Sequence, residues 1–88
     1  MNAYLEVIYR SGRALGAYLY LPRQRREKSV RSAKAPVGMV VDFDRNGKPI
    51  GIELTAPGLV TLPALNEVLR ELGLPSLSAA DVEPLRAA

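Results

Sequence analysis

Two short apolar runs on either side of Arg45-Asn46-Gly47 constrain this chain more than any other feature. The first is Gly38-Met39-Val40-Val41-Asp42-Phe43-Asp44; the second is Lys48-Pro49-Ile50-Gly51-Ile52-Glu53-Leu54. Asn-Gly between alternating runs is the strongest short-range hairpin signal, because a type I′ turn needs positive φ at both central residues. With Asn46-Gly47 as that turn, Phe43 faces Ile50, Val41 faces Ile52 and Met39 faces Leu54. Those apolar residues share one face, and Asp42 and Glu53 fall on the other.

The rest of the chain reads around this hairpin. Residues 3–9 alternate, with Leu5, Val7 and Tyr9 on one side and Tyr4, Glu6 and Ile8 on the other. Arg10-Ser11-Gly12-Arg13 is a turn signal, and a second strand follows from Ala14 to Leu21. Its Leu15, Ala17, Leu19 and Leu21 oppose Gly16, Tyr18 and Tyr20, and Pro22 ends it for want of a ladder donor. Arg23 to Lys34 is strongly basic and predicts at most a solvated edge strand. From Leu62 the period becomes helical, with Leu62, Leu65, Val68, Leu69 and Leu72 in one stripe. Thr61 can cap this helix, Pro63 suits its first turn, and Gly73 with Pro75 stops it. A second start at Ser78 has Asp81 three residues on, Leu77 and Val82 flank it, and Pro84 keeps it short.

Composition narrows the function. With 88 residues the chain is one domain, 1–88, with a β-sheet part over 1–55 and a helical tail over 59–88. It has no Cys, so disulfides, thiolate metal ligands and cysteine nucleophiles are excluded. It also has no His, the commonest general base at neutral pH. No catalytic, cofactor or metal residues are therefore assigned, and the chain reads as not an enzyme. No run approaches a membrane span and no basic leader precedes the first apolar stretch, so a cytoplasmic protein is expected. Net charge is +3 but uneven: residues 1–48 carry +6 and residues 49–88 carry −3.

Three motifs invite a functional reading. Asp42, Asp44, Asn46, Gly47 and Glu53 match the calcium-loop spacing D-x-[DN]-x-[DN]-G-x5-E. The flanks are β-type rather than helical, so the hairpin reading prevails. Arg23, Arg25, Arg26, Lys28, Arg31 and Lys34 could neutralise phosphates, with Tyr18 and Tyr20 upstream to stack on bases. Against this stands a solubilising edge with the tyrosines in or beside the core, and no nucleic-acid-binding signature is present. The leucine stripe could dock on a partner, but such a stripe more often covers the protein's own sheet. The carboxylate pairs Asp42/Asp44 and Glu67/Glu71 read as solvated charges.

The segment Val41-Asp42-Phe43-Asp44-Arg45-Asn46-Gly47-Lys48-Pro49-Ile50-Gly51-Ile52-Glu53-Leu54 resembles the Domain of Unknown Function 2283 family of small bacterial and archaeal proteins. Tyr9, Ala14-Leu15 and Tyr18-Leu19-Tyr20-Leu21 are similar to that family's opening, so the resemblance spans about residues 9–54. Arg10 and Arg13 stand where the family has acids. The resemblance implies no catalytic residues. It does imply an antitoxin-like or inhibitor-like role, because some relatives look like partners of small toxin-type proteins.

The expected fold is α+β: an antiparallel sheet of four to five strands built from hairpins, then one or two short C-terminal helices packed on one face. The expected core is Leu5, Val7, Leu15, Leu19, Met39, Val41, Phe43, Ile50, Ile52, Leu54, Leu65, Val68, Leu69 and Leu72. A homodimer is expected, since a half-covered sheet on so short a chain leaves apolar area to bury. The leading functional expectation is an interaction module for a protein partner. The alternative is nucleic-acid binding through the basic segment 23–34.

Overall fold

The computed structural model describes residues 3–22 and 28–85, and these form a five-stranded sheet with its helical tail packed on one side. The strands are β1 (Tyr4–Arg10), β2 (Arg13–Tyr20), β3 (Arg31–Lys34), β4 (Met39–Phe43) and β5 (Pro49–Leu54). Every pairing is antiparallel, in the order β1-β2-β5-β4-β3. Two local units, the β1–β2 hairpin and the β3–β4–β5 meander, are thus joined by β5 docking on β2. After a 3₁₀ turn over Pro57–Leu59 comes helix α1 (Leu62–Glu71), and a 3₁₀ helix over Ala80–Leu85 follows. Among the described residues no helix is long and apolar enough to cross a membrane.

Alternation decides which face is covered. Leu19, Leu21, Met39, Val41, Ile52 and Leu54 bury against Val60, Leu65, Val68, Leu69, Val82 and Leu85. Leu5, Val7, Phe43 and Leu72 are partly buried and pack on this cluster, and Ile50 is fully buried. At about 25 cal/mol per Å² of apolar surface removed from water, this packing is the main stabilising term of so small a domain. Helix α1 begins where expected, Thr61 Oγ1 accepting from Ala64 N–H at 3.2 Å with Pro63 in the first turn. It ends in a Schellman cap, Gly73 N–H donating to Arg70 C=O and Leu74 N–H to Leu69 C=O. Asn66 clamps the segment beyond, donating to Leu77 C=O at 3.0 Å and accepting from Leu77 N–H at 2.7 Å. The Ser78–Asp81 capping box forms, and the Ser78 N–H at 2.8 Å holds the Asp81 carboxyl below the ordinary range.

Both hairpins depart from expectation by one residue, and for one reason. Asn46-Gly47 is not a type I′ turn: Gly47 alone has positive φ (79°), while Asn46 stays on the ordinary side. Gly47 N–H donates to Asp44 C=O and Asp44 N–H to Lys48 C=O, so the loop holds three residues rather than two. Asp44 selects it, its Oδ1 accepting from both Asn46 N–H and Lys48 N–H at 2.9 Å. Phe43 consequently opposes Pro49 rather than Ile50. Ile50 is the extra residue of a bulge that restores the anticipated pairs Val41↔Ile52 and Met39↔Leu54. In the first hairpin Ser11 (φ 52°) and Gly12 (φ 77°) make the type I′ turn, closing Arg10 on Arg13. That turn is again out of step with the apolar pairing Leu5↔Leu19, and Leu15 becomes the extra residue. Leu15 is therefore 53% exposed instead of in the core.

The turn assignment predicts an asymmetry. Gly47→Ala should destabilise the protein by about 1–2 kcal/mol, the cost of a left-handed non-glycine residue. Asn46→Ala should stay within about 0.5 kcal/mol. Urea denaturation of both variants checks this, since a type I′ turn would penalise both.

Candidate functional site

The face of the sheet opposite α1 is a surface of its own. Strand register lays two rows of side chains across all five strands. The first runs Tyr4, Tyr20, Gly51, Asp42, Ser32, and the second Glu6, Tyr18, Glu53, Val40, Lys34. Asp42 is only 6% exposed, and a buried carboxylate needs donors. It has two: Tyr18 Oη donates to Oδ2 at 2.8 Å and Ser32 Oγ to Oδ1 at 2.6 Å.

To reach Asp42 from the second row, the Tyr18 ring crosses directly over Gly51. A Cβ at Gly51 would stand 1.9 Å from Tyr18 Oη and 2.2 Å from Cζ, so only glycine fits beneath the ring. Tyr18 then meets Tyr20 edge-on (centroids 4.7 Å, 66°), and Tyr20 stacks on Tyr4 (4.5 Å, 13°). Tyr20 Oη donates to Glu6 at 3.2 Å. Asp42 thus fixes one tyrosine, which orients the next two. Beside Tyr18 lies a shallow depression of about 300 Å³ bordered by Glu6, Ile8, Gly16 and Glu53. The centre of this face is aromatic and acidic. Among the described strand residues its cations, Arg10, Arg13 and Lys34, lie at the margins.

The residues expected to bind phosphate are placed otherwise. Arg23, Arg25 and Arg26 lie outside the described residues. Lys28 is exposed ahead of β3, and Arg31–Lys34 form the solvated edge strand that pairs with β4. Arg31 sits opposite Phe43 on the core side, its guanidinium 4.2 Å from the ring centroid. Lys34 is opposite Val40, on the outer side. A strand cannot present residues three apart on one face, so these two cations diverge.

The calcium-loop match dissolves into hairpin chemistry. Asp42 is held by Tyr18 and Ser32, and Asp44 caps the turn. Among the described residues no group of three or more Asp, Glu, Cys or His is placed to hold a metal ion. Glu67 is paired with Arg70, whose hydrogen bond holds its carboxyl below the usual range. The leucine stripe of α1 covers this protein's own core. Tyr18 and Tyr20, which alternation sets opposite Leu19 and Leu21, form the centre of the outer face rather than part of the core. Alternation had placed Tyr18 and Tyr20 together, and Asp42 with Glu53, but only the β2–β5 pairing brings the two sets side by side. No family model, curated protein or solved structure matches this chain.

The Asp42 cluster predicts a coupled response. Tyr18→Phe and Asp42→Asn should each destabilise by about 1–3 kcal/mol through loss of a buried hydrogen bond. The double variant should cost clearly less than the sum, a coupling that a denaturation cycle measures. Gly51→Ala should act like Tyr18→Phe by displacing the ring.

Proposed function

We propose that this protein is a non-enzymatic interaction module that docks a protein partner on the outer face of its sheet, in the manner of an antitoxin or small protein inhibitor. The observation that carries this reading is the packed Tyr4–Tyr20–Tyr18 cluster, held by Asp42 on the sheet face that the helical tail leaves uncovered. Preorganised tyrosines are favoured anchors at protein interfaces, since they offer large contact area at little conformational cost. Glu6 and Glu53 flank Tyr18, so the partner segment that suits this face carries Arg or Lys among apolar residues. A guanidinium can lie on a tyrosine ring and meet a carboxylate at once. The resemblance of residues 41–54 to a family with toxin-associated members supports the same reading. Arg10 and Arg13 replace two of that family's acids, but Glu6 and Glu53 keep acids on both sides of Tyr18. The same reading places the protein in the cytoplasm.

The acids also bear on the nucleic-acid alternative. Bases stacking on Tyr18 would bring their phosphates toward Glu6 and Glu53, a like-charge arrangement. The experiment sets both readings side by side. Oligo-arginine and oligo-glutamate peptides are titrated into isotopically labelled protein, with duplex DNA and single-stranded RNA titrated across a salt series. The expected result is oligo-arginine perturbation centred on Tyr4, Tyr18, Tyr20 and Glu53. Glu53→Lys should weaken it by roughly fivefold, the scale of one partly exposed charge pair. Tight nucleic-acid binding with a steep negative salt slope, lost when Arg23, Arg25 and Arg26 become Ala, would overturn the proposal.

A further inference from the structure

Among the described residues the two edge strands of the sheet are built differently. Edge strand β3 has four residues, and its only charges are the cations Arg31 and Lys34, a pattern that blunts pairing with another strand. Edge strand β1 has seven residues, YLEVIYR, with the acid Glu6 and the cation Arg10 four apart. Between them, on the same outer face, Ile8 is 64% exposed.

The hydrogen-bonding parity of β1 follows from its neighbours. Leu21 N–H donates to Ile50 C=O, so the odd-numbered residues along β2 turn their backbone groups toward β5. The even-numbered residues of β2 therefore face β1, across the pairs Tyr4↔Tyr20, Glu6↔Tyr18 and Ile8↔Gly16. The backbone groups of Leu5, Val7 and Tyr9 are then left pointing to the open edge.

We propose that β1 pairs antiparallel with β1 of a second copy about a twofold axis at Ile8, so that two five-stranded sheets run on as one. Only a few registers keep the parity. Centred on Glu6, the two Glu6 carboxylates oppose each other. Centred on Val7, each Glu6 is set against an Ile8. Centred on Ile8, each Glu6 stands directly opposite Arg10 of the second copy, and the two exposed Ile8 side chains cover one another. Val7 and Tyr9 then exchange both N–H···O=C bonds with Tyr9 and Val7 of the second copy, taking up edge groups that no strand of the described residues covers. The occupant is a second copy because the charge pattern of β1 is complementary to its own reverse. This pairing shares Glu6 with the docking face and is told apart from partner docking by its other residues. It uses the edge of the sheet and Arg10, whereas the docking test turns on Glu53.

The sequence contains no Cys, so a single introduced cysteine reports the register. In an antiparallel sheet a non-hydrogen-bonded pair has Cα atoms about 4.5 Å apart, within the span of a disulfide. Ile8→Cys should therefore oxidise rapidly to a covalent dimer, while Val37→Cys, 68% exposed between β3 and β4, should not. Light scattering at high micromolar concentration should give twice the chain mass of 9.6 kDa. Glu6→Arg and Arg10→Glu should each weaken the dimer by about tenfold, since each replaces two attractive pairs with repulsive ones. The double exchange Glu6→Arg with Arg10→Glu should restore the dimer, which ties the loss in the single variants to the charge pair. A mass of 9.6 kDa overturns the proposal. So does a dimer in which Ile8→Cys cross-links no faster than Val37→Cys, or one indifferent to the charge exchange.

Discussion

Strand β4 meets β5 in a register that sets both faces of the sheet at once. Val41 opposite Ile52 and Met39 opposite Leu54 give α1 an apolar floor. The same step places Asp42 opposite Gly51 on the other side. A slip of one residue would send Ile52 and Leu54 to water and drive Glu53 into the core, so burial holds the register firmly. Yet the tight turn closes in a different step, because Asp44 binds the backbone of Asn46 and Lys48 and forces a three-residue loop. The bulge at Ile50 lets both demands stand, and it does so where the surplus side chain can still be buried. In the first hairpin the surplus residue is Leu15, which is left in water. Burying apolar area and satisfying backbone groups were separate requirements here, and one extra residue per hairpin reconciled them.

The outer face depends on that register in turn. Asp42 is buried only because Gly51 leaves room for the Tyr18 ring to lie across the strand and close over the carboxylate. A buried charged or polar group with donors on two other strands ties those strands together with a directionality that apolar contacts lack. Ser32 on β3 and Tyr18 on β2 both donate to Asp42 on β4, so its carboxylate links three strands, and the Tyr18 ring spans β5 between them. The stacking of Tyr20 and Tyr4 carries the order on to the far edge.

What was legible in the sequence was whatever rests on neighbours along the chain. The strand alternation, the Thr61 cap, the Gly73 stop and the Ser78–Asp81 box are local, and the structure forms each of them. Turn type was less legible, since Asn-Gly suits a type I′ turn and a glycine-ended three-residue loop equally well. The arbiter was the side chain of Asp44, acting on the backbone two and four residues on. Leu15 could not be recognised as exposed, because its displacement follows from the turn at Ser11-Gly12 being out of step with the pairing of Leu5 with Leu19. The tyrosine–aspartate cluster was hidden for another reason. Tyr18 and Asp42 belong to different hairpins, and no turn signal announces that β5 lies against β2. The acids Glu6 and Glu53 likewise become neighbours of Tyr18 only through that pairing.

Charge along the chain and charge on the surface consequently tell different stories. Read linearly, the first half is basic and invites phosphate. Folded, the cations of the described part scatter: Arg31 lies over Phe43 on the core side, Lys34 at an outer margin, and Arg10 on the opposite edge strand. The acids converge instead, with Glu6 and Glu53 on either side of Tyr18 and Asp42 beneath it. Electrostatic steering depends on where charges lie together, over a Debye length of about 8 Å at physiological salt, and not on how many the chain holds. Under the proposed docking, rings fixed from below by a buried carboxylate and bordered by exposed ones prefer a cationic segment to a phosphate backbone. That preference follows from strand register, which brings together residues that lie far apart in the chain.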